Sequence, residues 1–544
     1  MPNLSRREFL AGSAAVAGAA LIPSRAAAAT DSRVEVLLHE PVGRIAPEVQ
    51  GHFVEHLGGV VYDGIWVGED SKIPNDGGIR RSLVEHLKRI KAPLVRWPGG
   101  CFADSYDWRD GIGPRESRPT RTNFWAFDPK FPGRKQLYEP NEFGTNDFLR
   151  FCQQIGAKPY VAANLRSLTP LDFDHWVEYC NAPAGSTTLA KQRGGEPFNV
   201  SYWGVGNESW GCGGNFTAEE YATEYRRYTA WVPAYGQQLR FIAAGPNAGE
   251  IEWTRGFFET LLAKGRNMLH SVWGWGLHHY SWNVSQGRTT DWDAGKGDAL
   301  KFTVEEWYEL LRQADRMETL ITSHWTVMGE FDPTHRVKLA VDEWGSWHKP
   351  GTEVAPSHQL GQQCTLRDAL VAGITLDIFN RHADKVAMGA VAQLVNCLHA
   401  LFLADGDRFI VTPNYHVFAM HADHQDAESL RTIVSAPRVS GTRDGKPASF
   451  WGLAGSASVK DKRVVVTLVN PAAAEPRETE IVVRGAAIQQ ARWTALTSSD
   501  LAAHNTFETP DAVRPTTGDA QVSGGTAVHR VAPASVTKLE LTIA

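Results

Sequence analysis

The sequence predicts an α/β protein, a (β/α)8 TIM barrel followed by a C-terminal all-β sandwich module. Three observations carry this expectation. From Gly51 onward, short apolar runs alternate with amphipathic helical segments, the pattern of βα units around a parallel sheet. Eight such runs occur before the pattern stops near Leu403, the number a closed barrel needs. Beyond that point helical periodicity fades, and alternating strands separated by Pro, Gly, Ser and Thr clusters replace it.

In chain order, residues 1–30 read as a targeting signal. Ser5-Arg6-Arg7-Glu8-Phe9-Leu10 is a twin-arginine pattern, followed by an Ala-rich run to Ile22 and an Ala-Ala-Ala stretch suited to cleavage. The run is too short and too Ala-rich for a spanning helix, so the expectation is export of an already folded chain to the periplasm or outside the cell. Residues 31–40 hold one alternating strand, RVEVLLH, which precedes the barrel pattern and is expected to join the β module. Residues 41–403 form the expected barrel, with strands at 51–57, 93–100, 158–165, 201–208, 241–247, 272–280, 338–344 and 388–396. Between them, segments such as IRRSLVEHLKRI put Ile79, Leu83, Leu87 and Ile90 on one helical face. Residues 404–544 form the expected β module, with strands at 463–470, 478–485 and 535–544.

Composition narrows the function classes. Hydrophobic residues make up 42% of the 544 and charged residues 21%, enough for a sizeable core. A net charge of −6 argues against electrostatic nucleic-acid binding. Nineteen Trp supply flat apolar faces that suit sugar rings as well as cores. The six cysteines, Cys101, Cys152, Cys180, Cys212, Cys364 and Cys397, form no CxxC framework. The sequence calls for no cofactor and no metal.

In a barrel of this kind functional groups sit at the C-terminal ends of the strands. Glu55, Arg96, Asn207 with Glu208, His278 with Tyr280, Asp342 with Glu343, and Gln393 with Asn396 all fall there. A structural protein has no reason to load one rim with acids and amides, so the pattern points to a polar ligand. Glu208 and Glu343 end the fourth and seventh strands and can face each other across it, which is the arrangement glycoside hydrolysis needs. For Glu208 the alternative is a cap for the helix that begins near Thr217. The run His52-Phe53-Val54-Glu55-His56 also fits the H-x-x-E-H zinc-peptidase pattern, but on a strand the two His lie too far apart for one ion.

The motifs WGVGNESWGCGGN, VDEWGSWH, RWPGGCFADSYDWRDGIGP and TLRDALVAGITLDIFNRHAD resemble glycoside hydrolase family 51. The resemblance runs through the barrel and into TPNYHVFAMH and the closing PASVTKLEL. It implies a retaining, exo-acting α-L-arabinofuranosidase acting on arabinan, arabinoxylan or their oligosaccharides, and by family analogy a hexamer. Carried across, Glu343 resembles the nucleophile and Glu208 the acid/base, with Asn207 on the sugar's 2-hydroxyl. Arg96 and Tyr280 would aim the nucleophile, and Glu55, Gln393, His278 and Trp347 would grip or wall the sugar. Cys101 stands where many members carry Asn, which puts one sugar contact in doubt; Cys101 and Cys212 are expected to approach each other, either bonded or merely packed. Glu208 is expected to lack the cationic partners of Glu343. Rival readings on the same barrel are an endo-glucanase, a β-xylosidase, or a carbohydrate-binding protein without catalysis. The inserts 115–141 and 282–301 would wall the pocket.

Overall fold

The computed structural model describes residues 30–127, 137–282 and 294–544. The twin-arginine pattern lies outside the described residues, as do 128–136 and 283–293 of the two inserts.

Eight parallel strands close a barrel: Gly51–Phe53, Leu94–Trp97, Lys158–Ala163, Tyr202–Val205, Arg240–Ala243, Gly274–Ser281, Lys338–Ser346 and Val386–Ala392. Each overlaps one of the eight apolar runs. Every strand pairs with its neighbours in sequence, and the eighth returns to the first. Because helices cover the outside and side chains fill the inside, these strands are buried on both faces, so they appear in the sequence as apolar runs without clean alternation. Leu94, Tyr160, Tyr202, Ile242, Ala340 and Met388 fill the interior from the earlier part of six strands. The later part of the same cylinder is left to polar residues.

Helix starts are set locally. Thr169, Thr217, Thr303 and Thr365 each accept a hydrogen bond from a first-turn amide, while an acidic residue three positions on reaches back. Among the described residues no helix is long and apolar enough to cross a membrane.

The barrel extends past the boundary drawn at residue 403. Its eighth helix is Pro413–His421, and the large β sheet resumes only at Glu428. That helix is buried on nearly every side, so it carries no amphipathic stripe to mark it in the sequence. The N-terminal strand is also longer than 31–40. It spans Ser32–Arg44, pairing antiparallel with Glu428–Ser435 and parallel with Arg477–Arg484. It thereby becomes an inner strand of a ten-stranded sheet. The sheet folds over so that Ile488–Thr497 meets Gln521–Ser523 and Thr526–Val531, enclosing Val34, Leu430, Val466, Leu539 and Leu541 between two layers.

Helix Leu366–Arg381 joins barrel and module, and Leu366 to Asn380 are all buried. At its centre the Asp377 carboxylate accepts hydrogen bonds from Ser456 Oγ (2.7 Å) and Thr467 Oγ1, and lies 3.2 Å from His421 Nε2. Asn380 donates to Ser456 Oγ at 3.0 Å. Replacing Asp377 by Leu strands several buried donors, each costing about 1–3 kcal/mol. The urea midpoint of Asp377→Leu should therefore fall by an amount equivalent to at least about 2 kcal/mol; an unchanged midpoint would show that this junction contributes nothing to stability.

Candidate active site

The C-terminal end of the barrel gathers its polar residues around one buried cation. Arg96, 1% exposed, ends the second strand and reaches across the barrel. Its Nη1 donates to Glu343 Oε1 at 2.7 Å and to the Asp342 carbonyl at 2.9 Å, and its Nη2 donates to Asn207 Oδ1 at 2.6 Å. The guanidinium lies 4.6 Å from the Phe53 ring centroid. Tyr280 donates its hydroxyl to the other Glu343 oxygen at 2.8 Å. Burial, and then Glu343, push the Tyr280 phenol well above its usual range, so it remains a donor.

Glu208 projects from a sharp turn. Its own backbone is left-handed, with φ of +39°, and Gly206 before it has φ of +79°. A Cβ on Gly213 would stand 1.7 Å from the Asn207 carbonyl oxygen, so this loop closes only around glycine. The carboxylate is 19% exposed, and one of its oxygens meets His278 Nδ1 at 2.9 Å. The expectation that Glu208 lacks a cationic partner is therefore corrected. A register shift between the sixth and seventh strands sets His278 beside Glu343 in the ladder, which draws the imidazole to all the central acids. His278 Nδ1 is 3.5 Å from Glu343 Oε2, and its Nε2 is 3.4 Å from Asp342 Oδ1. Burial opposes a charge on His278, but Glu343, Asp342 and Glu208 outweigh it and raise its pKa to about 10. Oxygens of Glu208 and Glu343 and a nitrogen of His278 lie within 4.8 Å of one another.

Glu55 and Gln393 form a reciprocal pair. The Glu55 amide donates to Gln393 Oε1, and Gln393 Nε2 donates to Glu55 Oε2, both at 3.0 Å. The Phe102 amide and Trp125 Nε1 donate to Glu55 Oε1 at 2.9 and 3.2 Å. Burial pushes the Glu55 carboxyl up to about 7 against these donors. A Cβ on Gly100 would come within 2.7 Å of Glu55 Oε1, which accounts for the second glycine of RWPGG. Trp347 packs edge-on against Tyr280, ring centroids 5.1 Å apart, with Lys296 Nζ 4.0 Å from its own centroid. These residues enclose a cavity of about 80 Å³ whose walls include Glu55, Trp125, Glu208, Tyr280, Glu343 and Trp347.

Cys101 also lines that cavity, as half of a disulfide with Cys212. A bonded sulfur has no S–H, so Cys101 offers a sugar only an apolar surface. The two sulfurs lie 3.9 and 3.7 Å from Glu208 Oε2.

Three participants had no assigned role in the sequence. Asp342 accepts from Tyr160 OH at 2.8 Å; burial raises its pKa, but Arg96 and His278 hold it below the usual carboxylate range. Asp104 accepts from the amides of Leu165 and Asn207 at 2.8 and 3.1 Å, bracing the ends of the third and fourth strands. Trp125 lies in the first insert, whose aromatic content was its only signal. The two His of the H-x-x-E-H run separate completely. His52 is fully buried without a hydrogen-bond partner, whereas His56 faces Glu139 Oε2 at 2.9 Å and accepts from Trp97 Nε1.

Known proteins resemble this chain over most of its length. Residues 86–294 match the model of the alpha-L-arabinofuranosidase 1 domain, and residues 342–535 that of the alpha-L-arabinofuranosidase C-terminal domain. The chain is 36% identical to an intracellular exo-alpha-L-arabinofuranosidase of Bacteroides ovatus, over 93% of this chain and 95% of that one. It is 28% identical to the intracellular exo-alpha-(1->5)-L-arabinofuranosidase 1 of Bacillus subtilis, over 89% and 93%. Among solved structures, the GH51 arabinofuranosidase from Xanthomonas axonopodis pv. citri superposes with a TM-score of 0.86 at 35% identity, covering 94% of this chain and 100% of that one.

The His278 cluster has a pH signature. A histidine whose folded pKa rises from 6.5 to about 10 stabilises the fold fully below pH 6.5, and this contribution is lost as pH rises through about 10. Each unit of that shift is worth about 1.4 kcal/mol. The stability difference between wild type and His278→Gln in urea melts should therefore shrink steadily from pH 6.5 to 10; a difference independent of pH would mean that His278 is neutral.

Proposed function

The chain belongs to glycoside hydrolase family 51, the α-L-arabinofuranosidases, and from that membership we propose a retaining, exo-acting enzyme that removes terminal non-reducing α-L-arabinofuranosyl residues from arabinan, arabinoxylan or their oligosaccharides. Glu343 is the nucleophile and Glu208 the acid/base in this reading. The observation that carries it is the approach of their oxygens to within 4.8 Å. Retaining enzymes hold their two carboxyl groups about 5–5.5 Å apart, whereas inverting enzymes need about 6.5–9.5 Å to admit a water.

The reaction proceeds as two displacements. Glu343 attacks the anomeric carbon as the bond to the leaving oxygen breaks, and Glu208 gives that oxygen a proton. The product of this step is a glycosyl ester on Glu343. Glu208, now a base, takes a proton from water, which attacks the same carbon and releases Glu343. Arg96 and Tyr280 hold the two nucleophile oxygens in line. The amide nitrogen of Asn207, held only by a long 3.8 Å contact to Cys212 Sγ while its oxygen is committed to Arg96, suits a sugar hydroxyl. Glu208 meets His278 Nδ1 across 2.9 Å, so the imidazole lies within hydrogen-bond reach of the proposed acid/base. When Glu343 becomes an ester, His278 loses one negative neighbour and gives up its proton more readily. Glu55 and Gln393 grip ring hydroxyls, and Trp347 and Trp125 wall the ring. The small cavity fits one furanosyl unit, which favours chain ends over internal bonds.

Glu343→Ala should abolish turnover of 4-nitrophenyl α-L-arabinofuranoside. Glu208→Ala should lose about 10²–10⁴ in kcat/KM on an arabino-oligosaccharide, and far less on a dinitrophenyl glycoside whose leaving group needs no proton. NMR of the first-formed sugar should show retained anomeric configuration; an inverted product would remove Glu343 from its role.

Cellular location is a separate proposal. Export rests on the twin-arginine pattern at residues 5–10, the Ala-rich run to Ile22 and the Ala-Ala-Ala stretch after it, and the Bacteroides and Bacillus relatives, both named as intracellular, lean against it. Activity recovered from the periplasm or medium after fractionation supports export, and activity confined to the cytoplasm rejects it. A hexamer, proposed by family analogy, predicts about six times the chain mass of 59.9 kDa in light scattering.

A further inference from the structure

A second cavity adjoins the first. It holds about 370 Å³, against about 80 Å³ for the small one, and falls within the range of about 300–1,000 Å³ typical of small-ligand sites. Glu208 and Tyr280 line both cavities, whereas Glu343 lines only the small one. With the sugar that is cleaved in the small cavity, the general acid stands at the junction, so the departing oxygen leaves toward the larger space. The far wall comes from helix Val304–Phe331. The Gln313 carbonyl of that helix accepts from His279 Nε2 at 2.7 Å, which fixes this turn against the end of the sixth strand. One turn later Arg316 reaches the cavity rim. Arg316 is exposed, makes no ion pair among the described residues, and donates only to Gln313 Oε1 at 3.3 Å. Asn247, also exposed, lines the same rim, and Trp210 offers an indole face beside Glu208.

An unpaired guanidinium beside an amide and an indole is equipped for a sugar that carries a carboxylate. We propose that this cavity is the leaving-group subsite and that Arg316 selects a uronic-acid-bearing glycan as the aglycone. The proposal rests on the arabinofuranosidase reading above. A neutral sugar would use Asn247 and Trp210 and leave Arg316 in water.

The test compares kcat/KM on an arabinofuranosyl oligosaccharide whose aglycone unit is a uronic acid with kcat/KM on the same compound after carboxyl reduction. Wild type should prefer the acid by about fivefold at low salt, as an exposed ion pair allows, with the preference fading at high salt. Arg316→Gln should bring the ratio to about one, and Arg316→Lys should keep part of it. A wild-type ratio of one or less, or a preference that survives in Arg316→Gln, overturns the proposal. 4-Nitrophenyl α-L-arabinofuranoside, which carries no uronate, separates the two failures: if wild type does not cleave it, the arabinofuranosidase reading fails instead.

Discussion

The buried guanidinium of Arg96 is the constraint on which the site depends. A charge taken out of water costs far more than a typical fold's margin of stability unless every donor is met. Arg96 meets most of that demand with Glu343, the Asp342 backbone and Asn207, and with the Phe53 ring beneath it, while its Nε lies 3.8 Å from Asp342 Oδ2 without a hydrogen bond among the described residues. Those partners come from the ends of the seventh, fourth and first strands, so satisfying one side chain fixes the relative positions of four strand ends. Both proposed catalytic carboxylates inherit that precision: Glu343 directly, and Glu208 through its neighbour Asn207.

The second constraint is charge number. Glu55, Asp342, Glu343 and Glu208 crowd a volume in which, among the described residues, Arg96 and His278 are the cations in contact with them. Burial first, and then the nearby Glu343, raises the Glu55 carboxyl to about 7, while the surrounding acids outweigh burial and let His278 keep its proton to about 10. An excess of negative charge in a site poor in water is costly at rest. It becomes favourable when the sugar carbon acquires positive charge in the transition state of glycoside cleavage. The apolar cluster of Leu94, Ile242, Ala340 and Met388 fills the barrel below the site. The Cys101–Cys212 bond ties the loop after the second strand to the loop after the fourth, on either side of Glu208.

The sequence was most legible where local chemistry decides the outcome. The eight barrel strands, the rim acids and the joining of the N-terminal strand to the β module all followed from period, propensity and spacing. It was least legible where contacts are long-range. Helix Pro413–His421 is covered on most sides by other elements, so its burial left no local pattern, and the barrel boundary fell short. The partner of Glu208 was missed because a register shift between two strands sets it, and register depends on how the closed sheet packs. Trp125 reached Glu55 from an insert whose composition announced a wall without saying which residue would touch the sugar.

By itself, then, the sequence determined the architecture, because βα periodicity is written residue by residue, while its long motifs carried the family resemblance and with it the proposal of a carboxylate pair. The tertiary structure alone decided that His278 lies against Glu208, that Cys101 is bonded rather than free, and that Glu208 stands between a small cavity and a large one. Each of these is a distance between residues more than 60 positions apart, fixed by the packing of the closed barrel and therefore invisible in any local stretch of chain.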